Sequence, residues 1–406
     1  MAHKGNHRNA DGMGTIRKKT VVRNGKEYSY WEGRCTVGYD PGTGKQIQRS
    51  VSGSSQKEVT KKIKELTREI DTGSYVEPCK LTVAEFLEIW QKEYLNSVKP
   101  NTAHGYRTHC RVHIIPRIGA VKLCKLTPLT IQRFYNSLEN ATTSKPLSPK
   151  SVRNIHGVLH KALECAVNLK YIANNPAEAT GIDLPRENPR EILPMEDEEV
   201  KRFIAVVQNH RYRILYLITL FTGLREGEIL GLSWDCVDWD NHVLTIRQQL
   251  QKNREKKAYC METPKNSKTR RIVVADAVIG LLMEQYVLQS QLKSQAGKAW
   301  QNKWNLVFTK EDGSNLAINT VYHNYKRLVK EIDCEGRRFH DLRHCFASTS
   351  LENGDDAKTV QENLGHHSAA FTLKQYGHVK KTMAVASAKR MEAYIQNVMP
   401  ENANKR

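Results

Sequence analysis

Apolar and polar residues alternate along three short stretches near the start of the chain: TIRKKTVV from Thr15, EYSYWEGRCTVGY from Glu27 and KQIQRSV from Lys45. Alternation with period two predicts strands. The turn-forming RNGK and DPGTG between them predict that the strands join into one small sheet. The period then changes. From Ser55, in SQKEVTKKIKELTREI, the apolar positions Val59, Ile63, Leu66 and Ile70 recur at helical spacing behind a Ser54/Ser55 start. A sheet of three strands with one helix has a thin core and makes a modest, independently folding module. Gly73 to Pro78 reads as a linker.

Helical spacing dominates next. Thr82 is placed to cap a helix through Tyr94, with Phe86, Leu87, Ile89 and Trp90 inside. Thr102 to about Ile115, Thr127–Leu138 and Ser148–Asn168 predict three more. The last carries Val152, Ile155, Val158, Leu159, Ala162 and Ala166 on one stripe. Asn174-Asn175-Pro176 ends this all-α segment, and Leu184 to Pro189 is a second, Pro-punctuated linker. Beyond Pro194, helices are predicted over MEDEEVKRFIAVVQ and Arg213–Thr222. His242–Gln251 and Ala258–Thr263 are predicted to pair as strands, with Arg271–Val274 as a third, and helices follow to the end. From Met383, Ala384, Ala388, Met391, Ile395 and Val398 form a last helical stripe, for packing within the domain or on a neighbouring subunit. The expectation is a multidomain chain: a small three-stranded β-sheet plus helix, an all-α domain, and a mixed, mainly α domain with a small β-sheet. Its divisions fall at 1–73, 80–180, 190–395 and a tail over 396–406.

Charge changes the picture. The 406 residues carry 63 Lys and Arg against 43 Asp and Glu, a net +20 that makes a polyanion the first partner to consider. Residues 1–73 hold 15 basic and 8 acidic side chains, 74–180 hold 14 and 7, and the remainder 34 and 28. The excess is therefore concentrated in the first 180 positions, as for a segment gripping a phosphate backbone. At 39% hydrophobic residues the chain can still build packed cores. No apolar run approaches the ~18 residues of a membrane span, and the polar start MAHKGNHRNADGMG is unlike a secretory signal. Nine cysteines without a C-x₂-C pair point to reduced thiols in a cytoplasmic protein rather than a disulfide framework or zinc ribbon.

Five stretches carry chemistry: TGLREGEI (222–229), TPKNSKTRR (263–271, expected as the turn of a β-hairpin), FHDLRH (339–344), LGHH (364–367) and YGH (376–378). In order and spacing they resemble the tyrosine recombinase (phage integrase) family, whose motifs read T-G-x-R-x-G-E, H-x-x-R-H and L-G-H-S/H before a tyrosine nucleophile. The resemblance covers about residues 194–385. The helical segment 82–176 is similar to the family's core-binding domain. The N-terminal sheet and helix look like the arm-binding module of conjugative-transposon integrases.

The resemblance implies that Arg225 and Arg343 clamp the non-bridging oxygens of one phosphodiester. Planar, permanently charged forks suit that task. The competing reading pairs Arg225 with Glu228 at i+3 and Arg343 with Asp341. His340 and His344, four apart on one helix face, superficially match a zinc motif. The family instead assigns His340 to proton transfer and makes His366 a phosphate ligand, against the plain alternative of a helix-capping histidine. His344 is left outside the primary set and His367 stands without a role. Tyr376 is the implied nucleophile, with Tyr394 a lesser candidate. A phenol of pKa ~10 needs local positive charge or a base to react. The implied general acid is Lys265, with Lys268 as its alternative, because Asn266 replaces the family's small hydroxyl residue.

The implied reaction is a transesterification through a 3′-phosphotyrosine that integrates and excises a mobile element, with no metal, ATP or other cofactor. The partners implied are double-stranded DNA at core and arm sites, further copies of the chain as a tetramer on DNA, and accessory excision or DNA-bending proteins. A cytoplasmic location at the nucleoid follows. Lys99, Arg107, Arg111, Lys145, Lys150 and Arg153 are candidate phosphate contacts in the helical domain. Arg17, Lys18, Lys19 and Arg34 are candidates in the sheet, where Tyr30 and Trp31 serve either DNA or the module's own core. A DNA-binding protein without catalysis, a metalloenzyme and a type IB topoisomerase are the competing functions.

Overall fold

The computed structural model describes residues 14–23, 26–39, 42–72, 79–140, 145–187, 194–264, 268–366, 368–376 and 381–398. It divides into two compact units, Met1–Asn188 and Pro189–Arg406.

In the first unit, β1 (Thr15–Arg23), β2 (Lys26–Tyr39) and β3 (Gln46–Gly53) form an antiparallel sheet in chain order. The helix α1 (Gln56–Asp71) begins at Ser55, whose hydroxyl accepts the Glu58 N–H at 3.2 Å. Its Val59 and Ile63 pack with Cys35, Ile16, Trp31 and Val51 on one face of the sheet. Trp31 therefore belongs to the module's core. Tyr30 pairs in register with Lys19 and lies on the other face, since neighbours along a strand alternate.

A separate core fills the helical part: α2 (Val83–Glu93), α3 (Pro100–His109), α4 (Ile115–Ile118), α5 (Pro128–Glu139) and α6 (Pro149–Asn168). Thr82 and Glu85 cap α2 reciprocally, and Thr127 and Ser148 cap α5 and α6. The second helix starts at Pro100 rather than Thr102. Proline at the first helical position lacks only an N–H that has no partner there anyway. Between α3 and α4 the helix widens into a π turn, Cys110–Ile114, whose two ends are both fully buried.

The second unit contains α7 (Asp197–Val207), α8 (Arg213–Thr222), α9 (Glu226–Leu230), five short strands, and then α10 (Asp276–Ala296), α11 (Ile318–Glu331), α12 (Phe339–Glu352), α13 (Ala357–Leu364), α14 (Ala369–Tyr376) and α15 (Lys381–Val398). The strands differ from expectation. Residues 242–251 are two strands, β5 (Val243–Ile246) and β6 (Gln249–Asn253), in different sheets. At the break Arg247 pairs with Asp235, and the Gln248 amide donates to the Gly231 carbonyl and to Ser233. The chain therefore turns to run along α9. β6 pairs with β7 (Ala258–Glu262). β5 lies between β8 (Arg270–Val273) and β4 (Val237–Asp238), a strand the pattern did not announce. β7 and β8, on either side of 263–269, thus lie in different sheets and do not pair with each other as a hairpin.

α8 is almost wholly apolar and buried. It stops at Gly223, whose φ of 65° is left-handed and whose N–H reaches the Thr219 carbonyl at 3.0 Å. A Cβ at Gly223 would lie 2.6 Å from the Phe346 ring and 2.8 Å from the Leu364 side chain. Gly223→Ala is expected to lose about 1–3 kcal/mol from the backbone alone, with overlap against α12 and α13 in addition. Chemical denaturation of the purified variant measures this, and wild-type stability would contradict the tight approach.

Candidate active site

The site is built where three arginines meet the end of α13. The last carbonyls of a helix have no partner within it and carry the negative end of its dipole. At α13 the carbonyl of Asn363 accepts from Arg270 Nε at 2.8 Å. The Leu364 carbonyl accepts from Arg343 Nη2 at 2.6 Å, and that of Gly365 from Arg225 Nη2 at 3.3 Å. Gly365 makes this possible. Its φ of 64° ends the helix with Gly365 N–H to Glu362 carbonyl and His366 N–H to Gln361 carbonyl, both 3.0 Å, the paired bonds of a Schellman cap.

Glu228, on α9, joins two of the arginines. Its carboxylate accepts Arg225 Nη1 at 2.7 Å and the Arg225 backbone N–H at 3.0 Å, and Arg270 through Nη1 at 2.9 Å and Nη2 at 2.6 Å. The i+3 pairing of Arg225 with Glu228 is therefore present. It leaves Arg225 about a quarter exposed, at 23%, on the wall of the cleft. Burial alone would raise the Glu228 carboxyl, but hydrogen bonding and charge from Arg270, with Arg225, hold it at about 2. Arg343 is only 1% exposed, and its Nη1 also donates to the Gly223 carbonyl at 2.8 Å. Asp341 pairs with Arg338 at 3.0 Å and caps α12.

The histidines surround these cations. His340 and His344 stack edge to face on α12 with ring centroids 4.8 Å apart. Among the described residues, no third His, Cys or carboxylate completes a metal-binding group with them. His366 Nδ1 is hydrogen-bonded to the buried Thr372 hydroxyl at 2.9 Å, which fixes the ring against α14. Burial, and then the charges of Arg343 and Arg225, push His366 down to about 3. His344 falls to about 4, again chiefly by burial. His340 goes to about 3 through burial and the neighbouring His344, Arg343 and Arg225, although its ring keeps access to solvent. Beside Arg225, Glu226 has a buried carboxyl oxygen that meets no hydrogen-bond partner among the described residues, and burial raises it to about 7.

A cleft of about 390 Å³ opens on this cluster, lined by Arg225, Arg270, Arg271, His366 and Lys268 among others. Arg225, Arg343 and His366 thus come together at the end of α13, with His340 in their field. Lys265 lies outside the described residues. Tyr376 is the last residue of α14, four positions after Thr372, and its side chain lies outside the description. Arg270 and Thr372 were not anticipated. Glu228 was considered only as a competitor for Arg225.

Of the candidate DNA contacts, Lys99, Arg111, Lys145, Lys150 and Arg153 are exposed and Arg107 is half-buried. Arg153 Nε also donates to the Pro185 carbonyl. In the sheet, Arg17 and Lys19 bind the buried Glu32 at 3.0 and 2.9 Å and Arg34 approaches it at 3.6 Å. Lys18 is exposed on the opposite side, in register with Trp31.

Residues 194–383 match the phage integrase family, and residues 82–139 match the phage integrase N-terminal SAM-like domain. The chain is 30% identical to a tyrosine recombinase XerC-like protein of Caldanaerobacter subterraneus subsp. tengcongensis, over 91% of this chain and 97% of that one. It is 26% identical to the ICEBs1 integrase of Bacillus subtilis, over 85% and 92%. Among solved structures it is similar to the Tn1549 transposon integrase in complex with a circular intermediate DNA, with a TM-score of 0.63 and 21% identity over 77% of this chain and 99% of that one. It is also similar to a lambda integrase tetramer bound to a Holliday junction, with a TM-score of 0.52 and 16% identity over 92% and 98%.

Neutral histidines in the folded state have a measurable consequence. His344 and His366 take up protons only near 4 and 3 when folded, but at ~6.5 when unfolded. The unfolded chain then binds more protons below that value, so stability falls as pH drops from about 6.5 toward 4. Glu226 opposes this between the ordinary carboxyl range and about 7, as one group against several, since His340 is lowered as well. The expected result is a lower unfolding temperature at pH 5 than at pH 7, with the two imidazoles still neutral by NMR at pH 5. Imidazolium signals from either at that pH would contradict the assignment.

Proposed function

For a chain that belongs to the phage integrase family of tyrosine recombinases, we propose that the arginine cluster at the end of α13 holds the DNA phosphate cut during integration and excision of a mobile element. The enzyme is a site-specific recombinase. The observation that carries the site assignment is the convergence of Arg225, Arg343 and His366 on consecutive residues, Leu364 to His366, at the mouth of a cationic cleft.

Tyr376 is the nucleophile. Its oxygen attacks phosphorus, the bond from phosphorus to the 5′ oxygen breaks, and the DNA is left as a 3′-phosphotyrosine. The phenolic proton passes to His340, the imidazole that the family resemblance places as the proton acceptor. Lys265 gives a proton to the departing 5′ oxygen, and Lys268 on the cleft wall is its alternative. Arg225 meets the charge that grows on the non-bridging oxygens, where a fixed cation lowers the barrier. Arg343, buried behind it, orients the Gly223 turn and the end of α13 and adds its field to the phosphate site. One phosphoester is exchanged for another, so the bond energy is retained until the 5′ hydroxyl of a partner strand reverses the step.

Residues 80–180 act as the core-binding domain and 190–395 as the catalytic domain, with Lys99, Arg107, Arg111, Lys145, Lys150 and Arg153 on the DNA backbone. Residues 1–73 bind separate arm sites through the open face of the sheet, where Arg17, Lys19, Tyr30 and Arg34 lie together. The likeness to the lambda integrase tetramer supports four copies acting on paired sites. The partner is DNA at the bacterial nucleoid, together with accessory excision or DNA-bending proteins.

Incubation with a nicked suicide DNA and a denaturing gel tests the reading. The wild-type chain is expected to give a covalent protein–DNA band, and Tyr376→Phe to bind the same DNA and give none. A band that persists in the variant would remove Tyr376 from its role. Deleting residues 1–73 is expected to spare cleavage of a core site and to weaken binding of DNA that also carries arm sites. Equal losses on both substrates would contradict the two-site arrangement.

A further inference from the structure

Arg270 is a third guanidinium in the cluster, and the reaction described above leaves it without a task. It is not a phosphate ligand. Its side chain is 10% exposed, and Nε, Nη1 and Nη2 all donate to protein acceptors: the Asn363 carbonyl and both oxygens of Glu228. Its neighbour Arg271 behaves oppositely, as alternation along β8 requires. That side chain is 67% exposed and only 3.8 Å from Asp238. The guanidinium of Arg270 is also wedged tightly, because a Cβ on Gly365 would stand 3.1 Å from its Cδ and Nη1.

Glu228 is the key to what this does. Its carboxylate is fully buried and carries one negative charge between two guanidinium groups. A buried charge left short of partners is costly and takes whatever counter-charge is in reach. Without Arg270 only Arg225 remains, and a one-to-one pair would draw its fork toward Glu228 and cancel its charge at the cleft. With Arg270 in place, Glu228 is neutralised by the buried arginine and steers Arg225 without consuming it.

We propose that Arg270 is a positioning residue: by occupying Glu228 and the Asn363 carbonyl, it keeps the charge of Arg225 available to the scissile phosphate. This rests on the recombinase reading of the same site. Arg270 also lies two residues beyond Lys268, at the downstream end of the segment that bears the candidate general acid. One side chain thereby ties that segment to both α9 and α13.

The test is single-turnover cleavage of the suicide DNA by the full chain at saturating substrate. Arg270→Met is expected to bind DNA within about threefold of wild type and to cleave roughly 100-fold more slowly, the scale of a displaced reacting group. Adding Glu228→Gln to Arg270→Met removes the charge that captures Arg225, and is expected to recover cleavage at least about tenfold. A purely architectural Arg270 would give no recovery, since the double variant loses still more contacts. Arg270→Lys keeps the charge but loses the fork. With a wild-type unfolding temperature it is expected to cleave roughly tenfold more slowly, which serves should the methionine variant fail to fold. Wild-type cleavage by Arg270→Met or by folded Arg270→Lys, or no recovery in the double variant, would overturn the proposal. A wild-type chain that forms no covalent adduct would instead overturn the recombinase reading.

Discussion

The catalytic unit depends on an electrostatic arrangement that would not form unaided: three guanidinium groups on three successive carbonyls of one helix end. Like charges brought together out of water repel strongly. Two features offset this here. The C-terminal end of α13 supplies oriented carbonyl dipoles, and Glu228 supplies one buried negative charge. The sum remains positive, and burial first, then that positive charge, hold His340, His344 and His366 neutral. A phosphate entering such a place would find its counter-charges already oriented, leaving little reorganisation for a reaction there.

Much of the architecture was legible in the chain because it is locally encoded. The strands of the N-terminal sheet, the helix after Ser55 and the caps at Thr82, Thr127 and Ser148 are set by residues a few positions apart. Arg213–Thr222 was delimited at both ends by its apolar run and by Gly223. The misreadings share a physical origin in contacts between distant segments. The break at Arg247 and Gln248 is made by Asp235, Gly231 and Ser233, and nothing in the alternation of 242–251 reports them. The pattern predicts a hairpin turn across 263–269 because both flanks read as strands. Their true partners, β6 and β5, precede them in the sequence.

The site was legible in a similar way. Its motifs announce the residues gathered around the end of α13, so Arg225, Arg343, His340 and His366 could be named. They do not announce what holds those residues. Arg270 reaches Asn363 across 93 positions, and Thr372 reaches His366 from the next helix. A signal for Arg270 was present in the pair Arg270-Arg271. On a strand, two adjacent arginines must face opposite ways, and one of them needs a buried acid. Glu228, already in the motif, was that acid.

The N-terminal sheet handles its cations differently. Glu32 sits nearly buried in the middle of the open face, and Arg17, Lys19 and Arg34 are gathered on it. Glu32 already offsets part of their charge, so this face would neutralise fewer phosphates and release fewer of the counterions condensed on a nucleic acid, which flattens the dependence of affinity on ionic strength below what a count of lysines and arginines suggests. In exchange the side chains are held in a fixed pattern, so any polyanion would have to match the spacing of the face to lift them from their carboxylate.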